Sequence, residues 1–216
     1  TLRGLIETNA PRAAYVGASN DDRPEFYAIF QAAMENVRIT DCRMIPSEPT
    51  AEDVEFVRGA DVILLAGGDP LKGWRTLERN GLRGLITERY FEGAVLAGVS
   101  AGAAQLGLCV WSEDGGGGGE LANTFGLVPF IVGAHEEKEG WRGLRAALRR
   151  AASRFTALGI QSGAGALYHA DHTLEAVRKP LEELSLEEGQ VKVSLIYPPG
   201  EGGRERENVE EVPLVC

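Results

Sequence analysis

Ser100 stands in Gly98-Val99-Ser100-Ala101-Gly102, a G-x-S-x-G pattern between a run of buried-strand character, Ala94 to Gly98, and small residues suited to a helix. A serine in that setting can act as a nucleophile, because a sharp strand-to-helix turn admits only small neighbours and lifts the hydroxyl at the helix N-terminus. There the N–H of Ala101 and the helix dipole can stabilise a developing oxyanion. A nucleophilic serine needs a base, and the chain has 3 histidines. His135 follows an apolar run, Val128 to Val132, which places it at the carboxyl end of a strand, on the same rim as Ser100. His169 and His172 lie in Tyr168-His-Ala-Asp-His-Thr173 without a third ligand at a familiar zinc spacing, so a turn is the better reading of that pair and no metal site is assigned.

A third group should fix the imidazole tautomer and stabilise the imidazolium. Glu113 and Asp114, just beyond the elbow, are the candidates, with Asp114 preferred; either could equally be a surface acid. Five consecutive glycines, Gly115 to Gly119, follow directly, a run with little conformational preference of its own. Another glycine pair, Gly67-Gly68, ends the strand-like stretch Asp61 to Ala66 and is followed by Asp69-Pro70. Ligands of open α/β sheets collect at such carboxyl ends, although a tight strand-to-helix turn would account for a lone Gly-Gly as well.

The elements that would carry these residues alternate in type. Strands are expected at Ala13 to Gly17, Val37 to Ile45, Asp61 to Ala66, Ala94 to Gly98 and Val128 to Val132. Between them lie helical patterns: Glu25 to Glu35, with Phe26, Ile29, Phe30 and Met34 on one face; a short helix capped by Thr50 and Asp53 and reaching Gly59; and Leu71 to Arg89, broken near Asn80-Gly81. After the fifth strand, Trp141, Leu144, Leu148, Ala151 and Phe155 share a helical face. Alternation of this kind implies parallel βαβ units with helices on both faces of a doubly wound, mostly parallel α/β sheet. Later short strands, Leu158 to Ile160, Ala166 to His169, Thr173 to Val177 and Val191 to Tyr197, suit antiparallel additions at an edge. No internal repeat and no second domain are visible, so residues 1–216 read as one domain with a charged tail from about 198 to 216.

Composition narrows the function classes. The 216 residues carry 22 Lys plus Arg against 32 Asp plus Glu, a formal charge of −10, which argues against a general nucleic-acid binder. The 3 widely spaced cysteines, Cys42, Cys109 and Cys216, suggest no disulfide framework and a reducing, cytoplasmic setting. No signal-peptide pattern is visible at Thr1-Leu-Arg-Gly-Leu-Ile-Glu, and no apolar run approaches the roughly 18 residues of a membrane span.

In combination, the Gly67-Gly68-Asp69 turn, the Ser100 elbow, an acid soon after it and the Gly126-Leu-Val-Pro-Phe-Ile-Val-Gly-Ala-His135 segment resemble the serine peptidases that include aspartyl dipeptidase (peptidase E) and cyanophycinase. The resemblance covers roughly residues 10 to 170 and implies the flavodoxin-like sheet of class I glutamine amidotransferases, with serine in place of their cysteine. It implies Ser100 as nucleophile, His135 as general base, Asp114 or Glu113 as the orienting acid, and the N–H groups of Gly68 and Ala101 as oxyanion hole. Asp69, Arg142 and Arg145 become substrate contacts, a guanidinium gripping a carboxylate, although both arginines could equally be solvated helix residues. The activity implied is hydrolysis of a small peptide by a dipeptidase or related exopeptidase, without metal or organic cofactor, as a monomer or homodimer. Glu136, Glu137 and Glu139, directly after His135, depart from the dipeptidase pattern and would repel an acidic substrate unless they point away. A cyanophycinase-like hydrolase of β-Asp-Arg chains, a carboxypeptidase-like enzyme, an esterase and a catalytically silent binding module are the alternatives.

Overall fold

The computed structural model describes residues 2–113, 119–151 and 155–200, the side chain of residue 113 excepted. Two compact units divide between Gln105 and Leu106.

The first unit is doubly wound. Its strands are β1 (Arg12–Val16), β2 (Asp41–Ile45), β3 (Val62–Leu65) and β4 (Val95–Gly98), all parallel and ordered β2-β1-β3-β4. That is the flavodoxin-like order, in which the switch point falls between β1 and β3. Helix α1 (Pro24–Asn36) joins β1 to β2, α2 (Ala51–Arg58) joins β2 to β3, and α3 (Pro70–Arg79) with α4 (Leu82–Phe91) joins β3 to β4. Right-handed crossovers put α1 on one face and the other three on the opposite face, where α4 packs against α2 and α3. Under α1, side chains alternating along the strands, Ala13 and Tyr15 of β1 and Val62 of β3, meet Phe30 and Met34. The expected apolar face of α1 is narrower than its spacing suggests, since Phe26 and Ile29 are exposed.

Local chemistry sets the helix ends. Thr50 and Asp53 form a reciprocal capping box at α2, with Thr50 Oγ1 accepting the Asp53 N–H at 3.2 Å and Asp53 Oδ2 accepting the Thr50 N–H at 2.9 Å. The break expected near Asn80-Gly81 is real: Gly81 is left-handed at φ 78°, and Asn80 Oδ1 accepts the Leu82 N–H at 3.0 Å to start α4. A short helix, α5 (Ala101–Leu106), follows β4.

The second unit begins with a hairpin, β5 (Cys109–Glu113) and β6 (Gly119–Asn123). Then come β7 (Phe130–Ala134), α6 (Arg142–Arg150), β8 (Thr156–Ile160), a second hairpin of β9 (Gly165–Tyr168) and β10 (Leu174–Val177), and finally β11 (Leu181–Glu187) and β12 (Gln190–Ile196). The four-stranded sheet has the order β12-β11-β8-β7, parallel at β7/β8 and antiparallel at the other two pairings. The antiparallel additions expected near the C-terminus are therefore present. Beneath them Trp141, Leu144, Ala147 and Leu148 pack on Ile131 and Ala157. Gly159 makes room for the Trp141 ring, which an added Cβ would meet at 2.8 Å.

Three strands escape the sequence reading: β5, β6 and β11. Leu181-Glu-Glu-Leu184-Ser-Leu-Glu187 buries Leu181 and Leu184, a spacing of three in a Glu-rich stretch that looks helical. Antiparallel pairing on both sides, to β8 and β12, overrides it. Among the described residues no helix is long and apolar enough to cross a membrane.

Candidate active site

In the first unit, β4 ends at Gly98 and α5 starts at Ala101, so Ser100 occupies the turn between them. Its φ is 52°, left-handed, a conformation that costs a residue with a Cβ about 1 kcal/mol or more and persists only where the surroundings impose it. Those surroundings are backbone. A Cβ on Gly98 would lie 2.4 Å from the Ala103 nitrogen, and one on Gly102 would lie 2.1 Å from the Leu65 carbonyl oxygen. Both flanks of the serine must therefore be glycine. The turn's own hydrogen bonds run from Val99 N–H to Leu65 O at 3.1 Å and from Gly102 N–H to Val99 O at 2.9 Å. Ala101 is the first residue of its helix, so its N–H has no acceptor in the helical ladder.

Beside the elbow runs the turn after β3. A Cβ on Gly67 would come within 3.4 Å of Ser100 Cβ, which brings this turn directly against the serine. Gly68 has φ 135° and leaves space for Ser19, whose carbonyl oxygen would be 2.0 Å from an added Cβ. The same carbonyl accepts the Asp69 N–H at 2.8 Å. Asp69 itself is the N-cap of α3, with Oδ1 accepting the Leu71 and Lys72 N–H groups at 3.0 and 2.9 Å. Ser100, Ala101, Gly68 and Asp69 thus gather at the carboxyl ends of β3 and β4.

In the second unit His135 directly follows β7, which ends two residues later than the apolar run suggested. It is exposed, has φ 49°, and donates its N–H to Ile160 O at the end of β8 across 2.8 Å. The acids after it have structural partners. Glu136 Oε2 accepts the Leu144 N–H at 3.3 Å, capping α6, whose N-cap residue Trp141 offers no side-chain cap. Glu137 Oε1 accepts the Ser162 N–H at 3.2 Å; hydrogen bonding with Ser162 is the largest of the causes, the nearby His135 among them, that hold its carboxyl below the ordinary glutamate value. Sequence reasoning missed both contacts; the signal for the Glu136 cap is the lack of Ser, Thr, Asp or Asn at Trp141.

The other candidates are placed as follows. Arg142 is the exposed first residue of α6, and Arg145 donates Nε–H to Gly140 O at 2.8 Å, bracing the turn before the helix. Glu113 ends β5 opposite Gly119, while Asp114 and residues 115–118 of the glycine run lie outside the described residues. His169 and His172 sit at the β9–β10 hairpin, His169 Nε2 at 3.3 Å from Glu175 Oε2 and His172 Nδ1 at 3.0 Å from the Tyr168 hydroxyl. Among the described residues no three His, Cys, Asp or Glu side chains gather as a metal site would require.

Residues 1–177 match peptidase family S51. The chain belongs to that family. Membership makes it a peptidase of the serine type, a hydrolase, and the strained Ser100 turn is the kind of feature such an enzyme requires. Solved structures share the fold of this S51 peptidase. A peptidase from an acI-B1 Actinobacterium aligns over 93% of this chain and 85% of its own, at 19% identity and TM-score 0.56. A candidate peptidase E protein from Listeria monocytogenes EGD-e aligns over 90% of this chain and 92% of its own, at 17% identity and TM-score 0.56. A glutamine amidotransferase is more distant, at 13% identity and TM-score 0.41 over 86% of this chain and 70% of its own. No curated protein matches the chain.

Proposed function

We propose that this S51 peptidase hydrolyses small peptides through Ser100 and His135, with residues 1–216 serving as one hydrolytic domain. The carrying observation is Ser100 at φ 52° between two glycines that backbone contacts leave no room to replace. His135 takes the Ser100 proton as the oxygen attacks the peptide carbonyl, and passes it to the leaving amine. It then activates water to release the acyl group. Asp114 or Glu113 orients the imidazole, and the N–H groups of Gly68 and Ala101 receive the oxyanion.

Substrate preference follows from the charges beside the base. Two of its three neighbouring acids, Glu136 and Glu137, have their carboxylates on backbone N–H groups. This supports a dipeptidase or related exopeptidase over a hydrolase of arginine-bearing β-linked chains, because each of those carboxylates has one oxygen already held by a backbone N–H. Arg142 and Arg145, both on α6, are the candidates to hold a substrate carboxylate, since a guanidinium grips one bidentately. Asp69 contacts substrate from the cap of α3.

The test is a panel of aspartyl dipeptides, other dipeptides, tripeptides, β-Asp-Arg and simple esters, run on the wild-type chain and Ser100→Ala. Turnover of a peptide that the variant loses supports the proposal. Undiminished turnover by Ser100→Ala sinks it, and esters cleaved far faster than every peptide would make the enzyme an esterase.

A further inference from the structure

Gln105, on the elbow helix α5, is fully buried and polar. Its Nε2 donates to Ser19 Oγ at 3.0 Å and to the Pro70 carbonyl at 2.9 Å. A carbonyl can only accept, so the Pro70 contact fixes which end of the amide is nitrogen. One side chain thereby ties the nucleophile's helix to two loops, one after β1 and one at the start of α3. A buried glutamine needs such partners, since an unpaired amide in the interior is strongly unfavourable.

The surroundings are shaped to admit it. Gly73 lies inside α3, where glycine is a poor helix former, and it is buried. A Cβ there would come within 2.1 Å of Ser19 Oγ and 2.5 Å of Gln105 Nε2. The helix thus carries a weak residue at a position where a side chain would break the Gln105–Ser19 contact. Ser19 passes the constraint on, because its carbonyl accepts the Asp69 N–H and fills the space beside Gly68. The chain of contacts Gln105, Ser19, Asp69, Gly68 ends at the backbone of the oxyanion turn.

We infer that Gln105 is a positioning residue for this peptidase's chemistry, holding Gly68 through Ser19 so that its N–H stays aimed at the oxyanion formed on attack by Ser100. The inference rests on the assignment of Ser100 and Gly68 proposed above. Loss of an oxyanion donor costs roughly 100- to 1000-fold in the chemical step. A donor that is loosened and still present should cost less.

A fluorescent fluorophosphonate reads this without a known substrate: the serine oxygen displaces fluoride from phosphorus, the hydroxyl proton leaves through the base, and the phosphoryl oxygen occupies the oxyanion hole. In Gln105→Met the maximal labelling rate should fall about 10- to 100-fold, with half-saturation within about twofold and the midpoint of the pH profile unmoved. Gln105→Glu keeps the shape and offers one O–H at most in place of the two N–H donors of the amide, so its rate should also fall, by less than that of Gln105→Met. Ser19→Ala should fall about 3- to 10-fold, and the double variant Ser19→Ala/Gln105→Met no further than Gln105→Met alone, because the two act as one unit. If Gln105→Met does not fold, Ser19→Ala and Gln105→Glu carry the test.

Labelling rates within twofold of wild type in folded Gln105→Glu and Ser19→Ala overturn the inference, as does a fall that only tracks the folded fraction. Failure of the underlying assignment looks different: a wild-type chain that does not label, or a Ser100→Ala chain that still does, removes Ser100 as nucleophile whatever Gln105 does.

Discussion

Ser100 and His135 are held in the same backbone conformation by opposite means. Each follows a parallel strand directly or within two residues, and each has a left-handed φ, 52° and 49°. Around Ser100 the constraint is steric: glycines at 98 and 102 let backbone atoms approach to distances that no other residue tolerates, and Gly67 packs closely beside the serine. Around His135 it is made of hydrogen bonds: the His135 N–H to Ile160 O, and the Glu136 and Glu137 side chains to backbone N–H groups of α6 and of the turn after β8. A steric constraint has no graded alternatives and should fail abruptly when altered. A constraint made of exposed or half-exposed hydrogen bonds should fail by degrees.

Chemistry gives the largest effect. Ser100→Ala should lower peptide hydrolysis by at least about 10⁴-fold, since removing the nucleophile of a serine hydrolase leaves only binding and oxyanion contributions. His135→Ala should lower it comparably, measured as kcat/KM on any peptide the panel identifies. If the histidine variant kept most of its activity, the two turns would not belong to one mechanism.

Glycine substitutions then separate the two regions. Gly102→Ala drives a methyl into the Leu65 carbonyl and should destabilise the chain by about 3 kcal/mol, at the upper end of overpacking effects. Gly143→Ala, on α6, meets the Glu136 carboxylate first, at 2.9 Å, and a flexible side chain can move. Because alanine also favours the helix, its net effect should lie within about 1 kcal/mol of zero. Urea denaturation of the two variants measures the contrast, and equal losses would show that both turns are rigid.

Removing a cap comes next. Glu136→Ala should cost about 1 kcal/mol, the usual worth of a helix N-terminal cap, read from the same denaturation curves. It should also reduce kcat by several-fold, because the cap is the residue next to His135, the proposed base.

The same contrast explains what could be read before the fold was known. The elbow is legible because its requirement falls on residue type: only glycine fits at 98 and 102, and only a strand before and a helix after give those glycines their meaning. The capping box at Thr50 and the break at Asn80-Gly81 are legible for a similar reason, being contacts between near neighbours. The roles of Glu136, Glu137 and Gln105 are not, because their partners are 8, 25 and 86 residues away. Strand β11 was hidden by leucines three apart, a helical spacing that only pairing with β8 and β12 overrides. Of the two acids proposed to orient the imidazole, Asp114 lies outside the described residues and Glu113 is placed by its backbone alone.

The smallest effect expected is a dependence on pH at the His135 loop. Glu137 has its carboxyl held below the ordinary value of 4.5, chiefly by hydrogen bonding with Ser162 and further by the nearby His135. A carboxyl lowered in the folded state stabilises that state fully above its unfolded value, and the contribution disappears as pH falls through the folded value. The relevant window is therefore the acid side of about pH 4.5. Glu137→Gln removes the titration and weakens the acceptor, so the variant should be slightly less stable than wild type at neutral pH. The difference should shrink as both are taken below pH 4.5. Melting temperatures recorded for the pair between pH 3 and 7 measure it. A gap that stays constant across that range would mean that Glu137 acts through its shape and not its charge, and the base loop would then resemble the serine elbow more closely than its hydrogen bonds suggest.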